Sequence, residues 1–270
     1  MYFENSKRKP MANSGLGASS VVAESVAQAM VKYSWFPGHM YVATRELYKR
    51  LNDIDVFIEI RDARLPYSSL NWEVDNLLRD KQKRKIVIFN KYDLCHNSVT
   101  HVAIKRLQKL GVEAIPTSAI NRLNLRKIIE MARLKNPPKY QQTVGSWLMI
   151  GGMPNVGKST ILNTMRQQAA RLKNGEITKS TKTPGQTRHL FGFRVNDKPL
   201  AWMVDTPGLM VPNIDDPEIG IKLALVGCVK ESMVEKELLV NYLIEQLHKR
   251  NNYTYMKKYG LTEKVKNGKD

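Results

Sequence analysis

The chain has 270 residues, 42% of them hydrophobic and 25% charged, which is material for one full α/β domain and a smaller appendage. No apolar run approaches the roughly 18 residues that cross a bilayer as a helix, and Cys95 and Cys228 supply neither a CxxC pair nor a disulfide framework. Lys and Arg total 43 against 25 Asp and Glu, a net charge of +18; the surplus favours a polyanionic partner, nucleic acid ahead of anionic lipid, through phosphate contact and counterion release.

Residues 1–20 hold Lys7, Arg8 and Lys9 and a Ser/Gly/Ala stretch without periodicity, expected to be disordered, and Val21–Val31 reads as one short helix. Arg8 with Glu4 and Glu24 does not make the Arg-rich, acid-poor composition of a transit segment. From about residue 40 to 205 helices and strands alternate, the signature of a mostly parallel sheet covered on both faces. A helix at Tyr41–Leu51 precedes an apolar strand, Ile54–Ile60. A helix near Trp72–Leu78, a strand at Ile86–Phe89, a helix at Val99–Leu110 and a short strand at Val112–Ile115 follow, and a helix at Leu123–Leu134 closes this half. Lys135-Asn136-Pro137-Pro138 breaks the pattern and reads as a linker. Beyond it come a strand at Trp147–Ile150, a Gly-rich loop and a helix from Lys158 to about Gln168. A basic Gly/Thr/Pro stretch then runs to His189, and strands at Phe191–Val195 and Leu200–Val204 bring the expected sheet to six strands. From Pro217 the pattern is helical only.

Gly152-Met153-Pro154-Asn155-Val156-Gly157-Lys158-Ser159 fits G-x-x-x-x-G-K-S, between an apolar strand and a helix. In such a loop backbone N–H groups of Asn155, Val156, Gly157, Lys158, Ser159 and Thr160 wrap phosphates at a helix N-terminus. Lys158 neutralises the β/γ charge and Ser159 offers a hydroxyl to Mg²⁺. Asn90-Lys91-Tyr92-Asp93 follows a strand and fits N-K-x-D. The Asp93 carboxylate accepts from guanine N1–H and the exocyclic amine, a donor pair adenine lacks, so adenine would leave it poorly matched. Asn90 would hold the loops together and the Lys91 stem would cover the base face. Thr117-Ser118-Ala119, after the strand ending at Ile115, fits a loop whose backbone reads the guanine carbonyl. Asp205-Thr206-Pro207-Gly208 fits D-x-x-G, with Asp205 on Mg²⁺ through water and the Gly208 N–H at the γ-phosphate. Within Thr183–Arg188, Thr187 is expected to complete the Mg²⁺ shell in the GTP state, with Thr183 as the alternative.

Together these motifs predict GTP binding with the base-reading half ahead of the phosphate-reading half. In that rotated order the sequence resembles the circularly permuted GTPases of the YlqF/RbgA type, and within them the mitochondrial ribosome-associated branch. Trp35-Phe36-Pro37-Gly38-His39-Met40, Arg61-Asp62-Ala63-Arg64-Leu65-Pro66 and the tail from Leu223 to Leu261 add to the likeness. It implies a P-loop GTPase domain at 31–212, with base-binding half 31–135, linker 136–146 and phosphate-binding half 147–212. A small helical, RNA- or ribosome-contacting domain at 213–270 would follow, with 1–30 as a disordered or targeting segment. It also implies a GTP-dependent assembly factor for the large ribosomal subunit, with GTP/GDP, Mg²⁺ and the precursor subunit and its rRNA as ligands. The expected location is the mitochondrial matrix, with peripheral contact to the inner membrane and a bacterial-type cytoplasm as the alternative; a monomer is the default. The chain ends soon after Leu261, where mitochondrial members continue, so part of an RNA-contacting tail is expected to be missing.

Where Ras-like switches carry a water-orienting Gln after D-x-x-G, this chain has Leu209, so slow intrinsic hydrolysis is expected. By resemblance, two groups stand in for the Gln: His39 as a catalytic aid, and K⁺ recruited by Asn155. A nucleotide-stabilised rRNA-binding module with negligible turnover is the alternative reading. The rotated order also leads Asp205–Gly208 straight into the helical tail, which suggests that loss of the γ-phosphate shifts the tail and releases RNA. Three basic runs offer an rRNA footprint, at Arg166–Lys198, Arg79–Lys85 and Lys249–Lys258, with Tyr253, Tyr255 and Tyr259 as stacking or packing aromatics.

Overall fold

Three strands each carry a short apolar run in the middle of the sheet, where both faces are covered. These are β1 (Val56–Asp62), β2 (Arg84–Asn90) and β4 (Ser146–Gly152). A computed structural model describes residues 45, 47–133, 145–171, 192–197, 200–206, 214, 216–229 and 234–262. With β3 (Glu113–Pro116), β5 (Phe193–Asp197) and β6 (Leu200–Asp205) they form a six-stranded sheet in the order β3-β2-β1-β4-β6-β5. Every neighbouring pair is parallel except β5–β6, an antiparallel edge. The expected six-stranded, mostly parallel sheet is therefore present, and its order explains the rotated sequence. β1 leads away to β2 and β3 on one side, while its neighbour β4 leads to β6 and β5 on the other. Loops leaving the carboxyl ends of β1 and β4 diverge, and such a switch point opens a crevice for ligands.

Seven helices are described: α1 (Trp72–Asp80), α2 (Asn97–Lys109), α3 (Leu125–Ala132), α4 (Lys158–Arg171), α5 (Pro217–Leu225), α6 (Lys236–Lys249) and α7 (Thr254–Tyr259). Of the helix expected at Tyr41–Leu51, residues 47–50 are helical and run into a short 3₁₀ turn, Leu51–Asp53. On one face of the sheet, Val56, Ile58 and Ile60 of β1 join Ile86, Ile88, Leu148 and Ile150. The same cluster takes in Leu125 and Ile128 of α3 and Ile161 and Met165 of α4. It continues into the helical tail through Ile221, Leu223, Ala224, Cys228, Leu238 and Tyr242. The tail therefore shares a core with the sheet.

The opposite face departs from an apolar pattern. Phe57 packs with Val74 and Leu78 of α1 and with Trp147 and Met149, but its neighbours on that face, Glu59 and Arg61, are buried charges. Arg61 donates to both Glu59 carboxylate oxygens at 2.9 Å and also reaches the Pro66 carbonyl. Lys85 of β2 lies 3.4 Å from Glu59 and pairs with Asp75 of α1. Burial alone would push the Glu59 carboxyl up, but Arg61 and Lys85 together hold it below its ordinary value. α1 is thereby docked by ion pairs as well as by Val74 and Leu78, and Asn71 caps it by accepting from the Val74 N–H.

A carboxylate with a depressed pKa stabilises the fold above its unfolded value, and the contribution disappears as pH falls through the lower folded value. Glu59→Gln leaves the buried Arg61 guanidinium without its counter-charge. It should cost about 3–5 kcal/mol of unfolding free energy at neutral pH. The gap should begin to narrow below about pH 4, where the unfolded carboxyl titrates, and close only as pH falls through the lower folded value. Urea unfolding at pH 7 and in acid checks both; a neutral-pH loss within experimental error would show that the buried Glu59–Arg61 pair does not stabilise the fold.

Candidate functional site

All the described motif residues lie at the carboxyl ends of the parallel strands. β1 and β2 are in register, so Asp62 stands opposite Asn90, and the Ala63 N–H donates to the Asn90 carbonyl at 2.8 Å. The side chain of Asn90 then bridges two other loops. Its Nδ2 donates to the Val156 carbonyl at 2.8 Å, and its Oδ1 accepts from the Ala119 N–H at 3.1 Å. The loop-holding role expected of Asn90 is thus visible as geometry. Gly157 is fixed by the same contact: it has φ +98°, and a Cβ there would fall 2.2 Å from Asn90 Nδ2.

Lys91 takes the left-handed conformation, φ 61°, at the start of the one-turn 3₁₀ helix Tyr92–Leu94 that presents Asp93. Its ammonium donates to the Asn155 carbonyl at 2.6 Å and lies 3.1 Å from the Asp62 carboxylate. The Tyr92 N–H donates to the Thr117 carbonyl at 3.1 Å and ties the N-K-x-D turn to the Thr117-Ser118-Ala119 loop. Thr117, Ser118 and Ala119 are buried, and the Thr117 hydroxyl has no hydrogen-bond partner among the described residues.

In the phosphate loop the Lys158 ammonium is folded back onto the Gly152 and Met153 carbonyls, at 3.2 and 2.9 Å. Burial lowers its pKa, while Asp205 pulls the other way. Val156 is buried, whereas Ser159 and Thr160 stand exposed in the first turn of α4. Asp205 ends β6 in register with Ile150 of β4. Desolvation raises its pKa despite the nearby Lys158 and although the side chain as a whole is exposed. Thr206 is buried, its hydroxyl donating to the Ile150 carbonyl at 2.7 Å. His39, Thr183, Thr187, Gly208 and Leu209 lie outside the described residues.

The loops enclose a cleft of about 360 Å³ lined by Asn90, Lys91, Asp93, Ser118, Ala119, Gly157 and Thr160. Four more lining residues, Arg64, Leu94, Ile120 and Val226, carried no site role in the sequence reading. Leu94 and Ile120 follow directly on the two base motifs and are 58% and 78% exposed, apolar walls suited to a planar ring. Val226 comes from the helical tail, and only the fold brings it here. Asn155 donates from Nδ2 to the Gly227 carbonyl at 2.8 Å, so it reaches across to the tail as well as shaping its own loop.

Comparison with known proteins gives a consistent result. The model of a family described as 50S ribosome-binding GTPase matches residues 148–265. The chain is 35% identical over 240 residues to Short integuments 2, mitochondrial, of Arabidopsis thaliana, covering 86% of this chain and 61% of that protein. It is 32% identical over 233 residues to Mitochondrial ribosome-associated GTPase 1 of Mus musculus (84% and 70%). It is 31% identical over 236 residues to Ribosome biogenesis GTPase A of Bacillus licheniformis (85% and 80%). The chain belongs to the YlqF/RbgA-type GTPases. The solved structure of GNP-bound YlqF from T. maritima superposes with a TM-score of 0.55 at 22% identity, over 82% of this chain and 84% of that one, a likeness of fold. This GTPase spans about three fifths of the Arabidopsis relative's length and more of the others.

Asn90→Ala removes both bonds that level the loops. It should cost about 2 kcal/mol, weakening GDP binding about 30-fold in isothermal titration. Unchanged affinity would mean that the loops hold their places without the amide.

Proposed function

We propose that the chain is a guanine-nucleotide-binding, slowly hydrolysing GTPase that acts as an assembly factor for the large ribosomal subunit in mitochondria. The observation that carries the nucleotide reading is the Asn90 bridge. One side chain holds the phosphate loop and the base-reading loop around a single cleft with Asp93 on its rim. Asp93 would select guanine, Leu94 and Ile120 would flank the ring, and Lys91 would cover it. Lys158 would exchange its two loop carbonyls for phosphate oxygens; a partly desolvated ammonium on neutral acceptors has more to gain from an anion than a solvated one.

Mg²⁺ fits the donor set, since Ser159 at the start of α4 and Asp205 at the end of β6 are hard oxygen donors on adjacent strands' loops. Bound there, it would neutralise β- and γ-phosphate charge. Ser159 and Asp205 would orient it, with Thr187 completing the shell and Gly208 meeting the γ-phosphate. Asn155 already uses its amide nitrogen on Gly227, which leaves Oδ1 as the atom for K⁺. His39 is the further catalytic candidate. Leu209 favours low intrinsic turnover and keeps a nucleotide-stabilised rRNA-binding module as the second reading.

The ribosomal and mitochondrial parts of the proposal rest on the relatives, whose names are Mitochondrial ribosome-associated GTPase 1 and Ribosome biogenesis GTPase A. The charge surplus agrees, but not every basic run is available to RNA. Lys83 donates to the Asn52 and Ile54 carbonyls, Arg84 is paired with Glu113, Lys85 is paired with Glu59 and Asp75, and Lys81 sits 4.0 Å over the Tyr48 ring. Four of the five basic side chains of this run are therefore engaged within the fold, while Arg79 stands exposed. On α7, Lys257, Lys258 and the 69%-exposed Tyr259 form a surface for a stacked, charged ligand. Tyr255 instead bonds His248 at 2.7 Å. The helical segment 213–270 is the proposed ribosome-contacting part. Peripheral membrane association and a monomeric state complete the proposal.

GTP turnover should be slow alone and rise at least about tenfold with large ribosomal subunits in potassium, less in sodium, a modest share of what a supplied transition-state charge achieves. No rise in either salt would favour the module without turnover. Asp93→Asn should shift preference from guanine to xanthine nucleotide, with GDP affinity falling about 100-fold or more; retained guanine preference in a binding competition would remove Asp93 from the base site.

A further inference from the structure

The Arg61–Pro66 segment sits at the switch point, where β1 gives way to the loops of the cleft. Asp62 ends β1 fully buried. It accepts from the Arg64 N–H at 3.0 Å and from Arg64 Nε and Nη2 at 2.9 and 2.7 Å. Burial would raise its pKa; the Arg64 hydrogen bonds and the charge of Lys91 instead hold it below its ordinary value. Arg64 does not stop there: its Nη2 also donates to the Val226 carbonyl, 3.0 Å away and 162 positions along the chain.

Val226 and Gly227 end α5 in a tight left-handed turn. Gly227 has φ +74°, its N–H donates to the Ala224 carbonyl at 2.9 Å, and the Cys228 N–H donates to the Leu223 carbonyl at 2.8 Å. That arrangement caps part of the helix end internally. It leaves the Val226 and Gly227 carbonyls pointing outward at the negative end of the helix dipole. Arg64 takes the first and Asn155 takes the second. Because the Asn155 carbonyl accepts from Lys91 and Lys91 pairs with Asp62, the contacts close into a ring. The ring runs from Arg64 through Asp62, Lys91 and Asn155 to the α5 corner and back. It unites the end of β1, the base loop, the phosphate loop and the helical tail, and both Arg64 and Val226 line the cleft.

We propose that the Val226–Gly227 corner is a wall of the nucleotide cleft, latched by Arg64 as a positioning residue, so that nucleotide occupancy and docking of the helical tail are one coupled equilibrium. This rests on nucleotide binding at the cleft. Coupling of this kind is reciprocal: whatever tightens the corner tightens nucleotide, and nucleotide tightens the corner by the same factor. The ring runs through the base loop and Asn155 and includes none of Lys158, Thr187 and Gly208, the groups assigned above to the γ-phosphate and its Mg²⁺. It therefore answers to occupancy, and GDP and GTP act alike. A γ-phosphate signal through residues 207–213 would be a separate input.

Amide exchange of the peptide covering Pro217–Val229, measured on the full chain without nucleotide, with GDP and with a non-hydrolysable GTP analogue, tests the latch. GDP and the analogue should each slow exchange at the corner at least about fivefold, to within a factor of two of each other. Arg64→Lys keeps a positive partner for Asp62 but lacks the fork that reaches both Asp62 and Val226. It should lose the nucleotide-dependent protection and bind GDP about fivefold more weakly. Wild-type protein that binds GDP with no slowing at the corner overturns the latch, as does protection by the analogue alone. A variant that loses protection without affinity, affinity without protection, or neither also overturns it. Wild-type protein that binds no GDP at all refutes the cleft assignment itself, a result read directly from the same titration.

Discussion

The Asn90 amide donates to the Val156 carbonyl and accepts from the Ala119 N–H, and the cleft has its shape because both bonds close at once. They can close only if three loops end at one level. That level is set by strand register: β1 on β2, β2 on β3 and β1 on β4 are all parallel, so their carboxyl ends emerge together. A slip of one residue would turn every side chain of a strand to the opposite face and carry Asn90 away from both partners. The buried aliphatic residues of β1, β2 and β4 hold the register, and the amide converts it into a site. Gly157 belongs to the same constraint, since any side chain there would occupy the place of Asn90 Nδ2.

Around this bridge the protein tolerates buried charge where an aliphatic strand would be simpler. Glu59, Arg61 and Asp62 are consecutive or near-consecutive on β1, and each is satisfied by named partners. Charges in such a place add little net stability compared with apolar residues of the same size. What they provide is direction. Arg61 fixes the turn at Pro66, and Asp62 aims Arg64 across the cleft and steadies Lys91.

Much of this was legible in the sequence, and the boundary of legibility has a physical reason. The strands and the phosphate and base loops follow from local patterns, because aliphatic runs, glycine positions and N-K-x-D act through neighbours in sequence. The role of Asn90 could be anticipated because it serves any loop pair of this kind. Leu94 and Ile120 were adjacent to the motifs and could have been found by asking which side chains flank a planar ring. Val226 could not, because its place depends on how the tail packs on the sheet. In the Arg79–Lys85 run, Lys81, Lys83, Arg84 and Lys85 also bond to a ring, carbonyls and carboxylates within the fold, which clustered charge in a sequence does not reveal.

The strand order also governs the molecule's birth. β1, β2 and β3 leave the ribosome first, and β1, destined for the middle of the sheet, waits with one edge bare until β4 is made. An unpaired edge of Val, Phe and Ile is a template for wrong partners. For about forty residues of synthesis after β3, no phosphate loop exists and nucleotide cannot help (Pro116 to Lys158). The permutation thus places the interval in which this edge is bare before the ligand can act. Glu59 and Arg61, set in that strand, are also the residues that make its bare edge least inviting.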